Sequence, residues 1–231
     1  MNKEHILFLQ ENLRSLGFGE SMTSNEILEQ EMEKGHKEFQ LVTTSDFDEW
    51  SRMEATLSFR RAENDSKYFF TRYYASLLYH ENPDFNRSQT FYISSGSGVS
   101  FKESFNLLQG RAVNKNLTNL DGEKYNAWIQ LDFNERTANH NYKVRQFRAQ
   151  HGYDLEKILH NYPIRELAPE ELKLNLIASL KRGNLHPVTF VKKDKPEKMY
   201  IAACPQYKTI TILSQAVRVA QMLAFQNIKN N

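Results

Sequence analysis

The feature that most constrains this chain is a pattern that occurs twice. Gly110 and Gly183 each end an amphipathic run and precede alternating residues, and Asp121 and Asp194 follow at the same offset of 73, each at a turn between two alternating stretches. A glycine directly after a 3.6-periodic run is a helix stop, and a period of two beyond it is a strand. The first copy predicts a helix over 100–109, strands near 111–115, 125–133 and 142–148, and a closing helix over 154–160. The second predicts a helix over 169–181, strands over 187–192, 198–203 and 207–213, and a closing helix over 214–228. Tyr142-Lys143 and Tyr207-Lys208, which open the third strand of each copy, are offset by 65, so the copies differ in one loop. Pro163 and the set Pro169-Glu170-Glu171 separate them and restart the helix.

The first hundred residues follow a different grammar. Ile6, Leu9, Leu13 and Leu16 recur three or four apart and Gly17 stops them, which predicts a helix. Ser24 caps a second, acidic helix that Gly35 ends. From Glu38 the period drops to two: Phe39 and Leu41, then Met53, Ala55, Leu57 and Phe59, alternate with polar neighbours as in half-buried antiparallel strands. Tyr68–Tyr79 carries apolar residues at both parities, which predicts a central strand covered on both faces, or a strand with a helical second half. A fourth strand is expected at Thr90–Ile93. Ser94–Gly98 then marks a boundary, and Ser100 with Glu103 forms a capping box.

Charge changes sign at that boundary. Residues 1–100 hold 10 Lys+Arg against 16 Asp+Glu, and residues 101–231 hold 20 against 12. Such asymmetry points to an anionic partner for the basic half, or to a basic partner for the acidic one. The lone Cys204 excludes an internal disulfide and suits a reducing cytoplasm. No run approaches the roughly 18 apolar residues of a membrane span, and Gln10 and Glu11 interrupt the N-terminal apolar run as a secretory signal would not.

Leu108-Gln109-Gly110-Arg111-Ala112-Val113-Asn114-Lys115, the strand Tyr125–Phe133, Gly152-Tyr153-Asp154-Leu155-Glu156, Pro163-Ile164-Arg165-Glu166-Leu167, and Leu180–Asn184 through Pro205–Ile210 resemble uncharacterised proteins of conjugative and other mobile elements of Bacteroidetes, in which a short domain of unknown function recurs in tandem. The resemblance spans most of residues 100–213 and, more weakly, the N-terminal half. It implies a mobile-element setting and brings neither an activity nor catalytic residues. Those relatives show a glycine-containing turn in the second copy, whereas this chain has Asp194-Lys195-Pro196.

Among candidate sites, nucleic-acid binding is the sharpest. Lys143, Arg145 and Phe147 share one face of strand 142–148, with Arg148, Arg111 and Lys115 nearby. Ala127, Ile129, Leu131 and Phe133 take the core face of the neighbouring strand, leaving Trp128 on the other with Gln130 and Asp132. Phosphates on cations and bases on rings are how single strands are held. In the second copy Tyr200 and Tyr207 stand in for Trp128, beside Lys192, Lys193 and Lys198. The competing reading buries Trp128 under a helix and leaves the cations as a solvated face.

Weaker candidates are a phosphate cradle at Ser95–Lys102, which lacks a Gly-Lys-Ser/Thr ending, and a metal trio of Asp132, Glu135 and His140. Cys204 paired with His186 or His151 is another, against a structural cysteine. The apolar stripe of the helix 214–228 suits packing on the chain's own sheet or on a partner helix.

These readings predict an α+β protein of antiparallel sheets flanked by helices. Residues 1–99 form an acidic half of two helices and a strand meander. Residues 100–231 form a basic half, duplicated as helix, three strands, helix over 100–228, with units of about 100–162 and 163–231. The expected function is a non-catalytic binding or accessory module of a mobile element, cytoplasmic, without metal or small-molecule cofactor, contacting nucleic acid through the basic half. The alternatives are a protein adaptor or inhibitor docking through the acidic half, and an unrecognised enzyme.

Overall fold

A computed structural model describes residues 3–19, 25–94, 98–119, 121–192 and 195–217. Three antiparallel sheets with flanking helices make it an α+β protein. The chain divides between Phe105 and Asn106 into two compact units.

In the first unit α1 (Lys3–Ser15) buries Ile6, Leu9 and Leu13 on one stripe, and Gly17 ends it at φ +78°. The α2 helix (Asn25–Glu33) buries Leu28 and Met32; its expected cap Ser24 lies outside the described residues. A meander follows: β1 (Glu38–Ser45), β2 (Ser51–Arg61), β3 (Tyr68–Tyr79) and β4 (Arg87–Tyr92), neighbours in that order and antiparallel throughout. One face is packed: Phe39, Leu41, Met53, Leu57, Phe59, Phe70, Tyr73, Leu77 and Phe91 are buried there. Phe39 stacks on Phe59 at 4.6 Å and Phe18 meets the edge of Tyr73 at 5.1 Å. The Tyr73 hydroxyl donates to the Val99 carbonyl at 2.7 Å, and burial pushes this phenol well above its ordinary range.

The expectation that Tyr68–Tyr79 is covered on both faces is corrected. The register of β2 with β3 shifts between Ser58 and Phe59, so Phe59 faces Phe70 while Ser58 faces Arg72 and Thr71 is the extra residue. A bulge of this kind flips side-chain parity. Buried positions are therefore 68 and 70 before it and 73, 75 and 77 after it, and the second face stays open.

The second unit starts inside α3 (Phe101–Leu108). Ser100 caps this helix as expected: its N–H donates to Glu103 Oε2 at 2.8 Å and the Glu103 N–H to Ser100 Oγ at 3.3 Å. Then come β5 (Val113–Thr118), β6 (Lys124–Arg136) and β7 (Tyr142–Arg148) in one sheet, α4 (Leu155–Leu159), α5 (Glu170–Lys181), and β8 (His186–Lys192), β9 (Lys195–Cys204) and β10 (Thr209–Ser214) in another. Both sheets are antiparallel meanders with the middle strand in sequence at the centre.

The two helix stops share one bonding pattern. Gly110 N–H donates to Leu107 O and Arg111 N–H to Asn106 O; Gly183 N–H donates to Leu180 O and Asn184 N–H to Ser179 O. These are the paired bonds of a left-handed C-terminal stop, with φ +85° and +79°. The strands beyond differ by one step: Lys115 faces Ala127, but Val188, 73 residues after Lys115, faces Met199, only 72 after Ala127.

Both meanders and α4 and α5 meet in one core of Trp128, Leu155, Leu159, Ile164, Leu176, Ile177, Leu180, Val188, Phe190, Ile201 and Ile210. The closing helix expected over 214–228 lies almost wholly outside the described residues.

Candidate functional site

The surface expected to bind nucleic acid is taken apart by its own packing. Trp128 is 6% exposed and meets the edge of Tyr153 at 5.4 Å inside the core of the second unit. Its assignment to an open stacking face is therefore corrected. Ala127, Trp128 and Ile129 are buried in succession, as are Leu131 and Asp132, because this central strand is covered on both sides.

Arg111 is structural: Nε donates to Gly183 O at 2.8 Å and the two terminal nitrogens to Gln109 Oε1 and Asn106 Oδ1, tying one helix stop to the other. Lys115 is half-buried on β5. On β7, Lys143 pairs with Glu135 at 2.5 Å, Arg145 Nε with Asp132 Oδ2 at 2.7 Å, and the Arg148 guanidinium lies 4.1 Å over the Tyr125 ring. The Asn134 N–H and the Arg145 and Lys143 charges hold the Asp132 carboxyl below its ordinary range, and Glu135 raises Lys143.

Of the candidates beyond α5, Tyr200 is half-buried with its hydroxyl on Gln215 Oε1 at 3.2 Å, and Tyr207, 74% exposed, is the last residue of the turn Pro205–Tyr207 that follows β9. Lys193 and the Lys192 side chain lie outside the described residues.

The remaining candidates resolve in the same way. Asp132 and Glu135 are engaged by cations and His140 sits in the left-handed turn at φ +60°. Among the described residues no cluster of three metal-ligating side chains occurs. His186 Nδ1 lies 2.9 Å from Ser179 Oγ and burial lowers its pKa, while His151 Nδ1 accepts from the Arg148 N–H. Cys204 is half-buried, its N–H donating to the Tyr153 hydroxyl at 3.3 Å. Ser95–Ser97 of the phosphate-cradle candidate lie outside the described residues. No described helix is long and apolar enough to cross a membrane.

The first unit holds the surface that the sequence reading missed. On the open face of β1–β4 stand Val42, Phe69, Tyr74 and Tyr92, exposed by 64%, 44%, 47% and 60%. Register sets them in rows: Val42–Thr56–Tyr74–Thr90 in one, Gln40–Ser58–Arg72–Tyr92 in the next, and Glu38–Arg60–Phe69 beyond. At the bulge the face dips into a depression of about 210 Å³ lined by Glu38, Phe59, Arg60, Thr71, Arg72 and Tyr92. Glu38 accepts from Arg60 Nε at 2.8 Å, whereas Arg72 makes no hydrogen bond or ion pair among the described residues. The parity change in β3 was the available signal: apolar residues at both parities in one run mean either two covered faces or a bulge and one rich open face.

None of the protein-family models, curated proteins or solved structures compared with this chain matches it.

Proposed function

We propose that this chain is a non-catalytic binding module that works through the open face of the β1–β4 sheet. The observation that carries this reading is the set of exposed rings and aliphatic groups, Val42, Phe69, Tyr74 and Tyr92, on a sheet whose other face carries the buried apolar residues of the unit. Isolated apolar side chains are ordinary on surfaces, but four on one sheet face with Arg60 and Arg72 among them have the composition of an interaction surface. A cytoplasmic setting and an accessory role in a mobile element are part of the proposal; the half-buried free cysteine fits the first and the sequence resemblance supports the second.

Hydroxyl-radical footprinting of the full chain tests the reading without assuming a partner class. The chain is exposed to radicals with single-stranded oligonucleotide, with duplex, and alone at rising concentration. Protection concentrated on Val42, Phe69, Tyr74 and Tyr92 under any of these is the expected result. Protection only elsewhere, or none, overturns it.

A second reading keeps nucleic acid on β7, favoured by the exposure of Lys143, Arg145 and Arg148 on an edge strand. It predicts that reversing these three charges abolishes oligonucleotide binding, and unchanged binding by the triple variant removes it.

A further inference from the structure

The depression at the bulge combines chemistries that one ligand class satisfies together. Arg72 is a guanidinium without a partner among the described residues, and its cross-strand neighbour is the exposed ring of Tyr92. Tyr74 is two residues along on the same face, diagonal to Tyr92, a step of roughly 7–8 Å between such positions. Between and around the rings lie Gln40, Ser58, Thr56, Thr71 and Thr90, small polar groups that leave the rings accessible.

We propose that this face holds single-stranded nucleic acid, with one base on Tyr92, a neighbouring base on Tyr74, and the intervening phosphate on Arg72. The inference rests on the open face being the working surface and names its partner. A ring that is exposed on one side offers a base its π-face whatever the sequence, and a guanidinium matches a phosphate in a two-pronged geometry. A stacked duplex offers this flat face no unstacked base.

The acidic balance of residues 1–100 does not fall on this surface. The helices carry Glu4, Glu11, Glu26, Glu29, Glu31 and Glu33, while on the open face Arg52 pairs with Asp46 and Arg60 with Glu38, Glu54 stands near them, and Arg72 is left without such a carboxylate among the described residues. Arg60 is held by Glu38 at 2.7 Å. A phosphate entering the depression competes with that carboxylate for Arg60, so Glu38 restrains binding. A protein partner, by contrast, would have to bury Glu54 in an interface, where glutamate is depleted.

The test is fluorescence anisotropy of the full chain with labelled oligo-dT, oligo-U and a duplex of equal length across a salt series. The expected result is binding of both single strands and not of the duplex, with log K falling against log salt at a slope of about −0.7 for the one phosphate on Arg72. Tyr92→Ser and Tyr74→Ser each weaken binding by about 10-fold or more, in line with the loss of one base stack. Glu38→Gln tightens binding severalfold, which a merely structural role for Glu38 would not produce. Arg72→Lys, which retains charge but loses the fork, gives an intermediate affinity.

Absence of single-strand binding at low salt overturns the inference, as does binding that survives both tyrosine substitutions. Equal binding of the duplex also overturns it. If footprinting shows the face protected only as the chain's own concentration rises, the surface stands as an interface between copies and the nucleic-acid inference falls. If the oligonucleotide protects β7 alone, both fall.

Discussion

Two sheet surfaces in this chain carry arginine beside aromatic rings, and they are built in opposite ways. In the second unit the cations are numerous and engaged: Lys143 with Glu135, Arg145 with Asp132, Arg148 over Tyr125, Arg111 across two helix stops. The ring meant to accompany them, Trp128, is part of the core. In the first unit the unit's charge is negative, yet its open face carries exposed Tyr74 and Tyr92 and an Arg72 that no described residue holds. Net charge per half is thus a poor guide to where an anion can bind. What differs between the two surfaces is which cations already have a partner within the fold and which rings remain exposed beside them.

The largest effect that separates the two surfaces is on stability. Trp128→Ala removes a ring buried against Tyr153, Leu155 and their neighbours and is expected to destabilise the second unit by about 3–5 kcal/mol. Tyr92→Ala on the open face is expected to stay within about 0.5 kcal/mol. Urea titrations of the two variants make the comparison. Equal costs would mean that the open face is packed in solution and that the two surfaces do not differ.

Next in size is the helix stop at Gly183. A Cβ there would lie 2.8 Å from the Ala112 carbonyl oxygen and 2.8 Å from Val113 Cγ2, in addition to the left-handed φ of +79°. Gly17, at φ +78°, has nothing within 4 Å of the same position. Gly17→Ala is therefore expected to cost about 1 kcal/mol for conformation alone, and Gly183→Ala about 2–3 kcal/mol because backbone as well as side chain must yield. The pair measures, by the same urea titrations, how closely the second unit is packed around its repeated stops.

The ion pairs of β7 give a smaller and pH-dependent effect. The Asp132 carboxyl is held below its ordinary range by the Asn134 N–H and by Arg145 and Lys143. A depressed acid contributes stability above its unfolded-chain value of about 3.9, and loses it as pH falls through the folded value. Asp132→Asn is expected to be less stable than the native chain at pH 7, with the gap closing at progressively lower pH below about 4. A gap that persists to pH 2 would assign the loss to packing instead. The same variant frees Arg145, so if pairing is what silences β7, combining Asp132→Asn with Glu135→Gln should raise oligonucleotide binding there.

Much of this architecture was legible in the chain because it is written locally. Gly17, Gly35, Gly110 and Gly183 all adopt positive φ at helix ends, and the Ser100–Glu103 box forms as the spacing predicts. What was not legible depends on register. The alternation rule put Ala127 and Ile129 inside and Trp128 outside, yet three consecutive apolar residues were themselves the sign of a strand covered on both faces. The pairing of Lys143 with Glu135 lies at the register shift between Asp132 and Arg136, and that of Arg145 with Asp132 is a diagonal contact set by the strand register. A shift of that kind comes from long-range strand pairing and leaves no trace in composition. The bulge at Thr71 had the opposite effect, hiding an open face inside a run that looked buried throughout.

The smallest stability effect is the most discriminating for function. Tyr74→Ser with Tyr92→Ser removes two rings that are 47% and 60% exposed, so the double variant should unfold within about 0.5 kcal/mol of the native chain. If the open face is where the module works, that variant keeps its fold and its thermal midpoint while losing its ligand. A structural role would instead couple the two losses. The companion Glu38→Gln change breaks an exposed pair worth little to the fold, yet releases Arg60 into the depression beside Arg72. Opposite effects on binding from two nearly silent stability changes, one on each side of the depression, are what a ligand site produces and what a passive surface cannot.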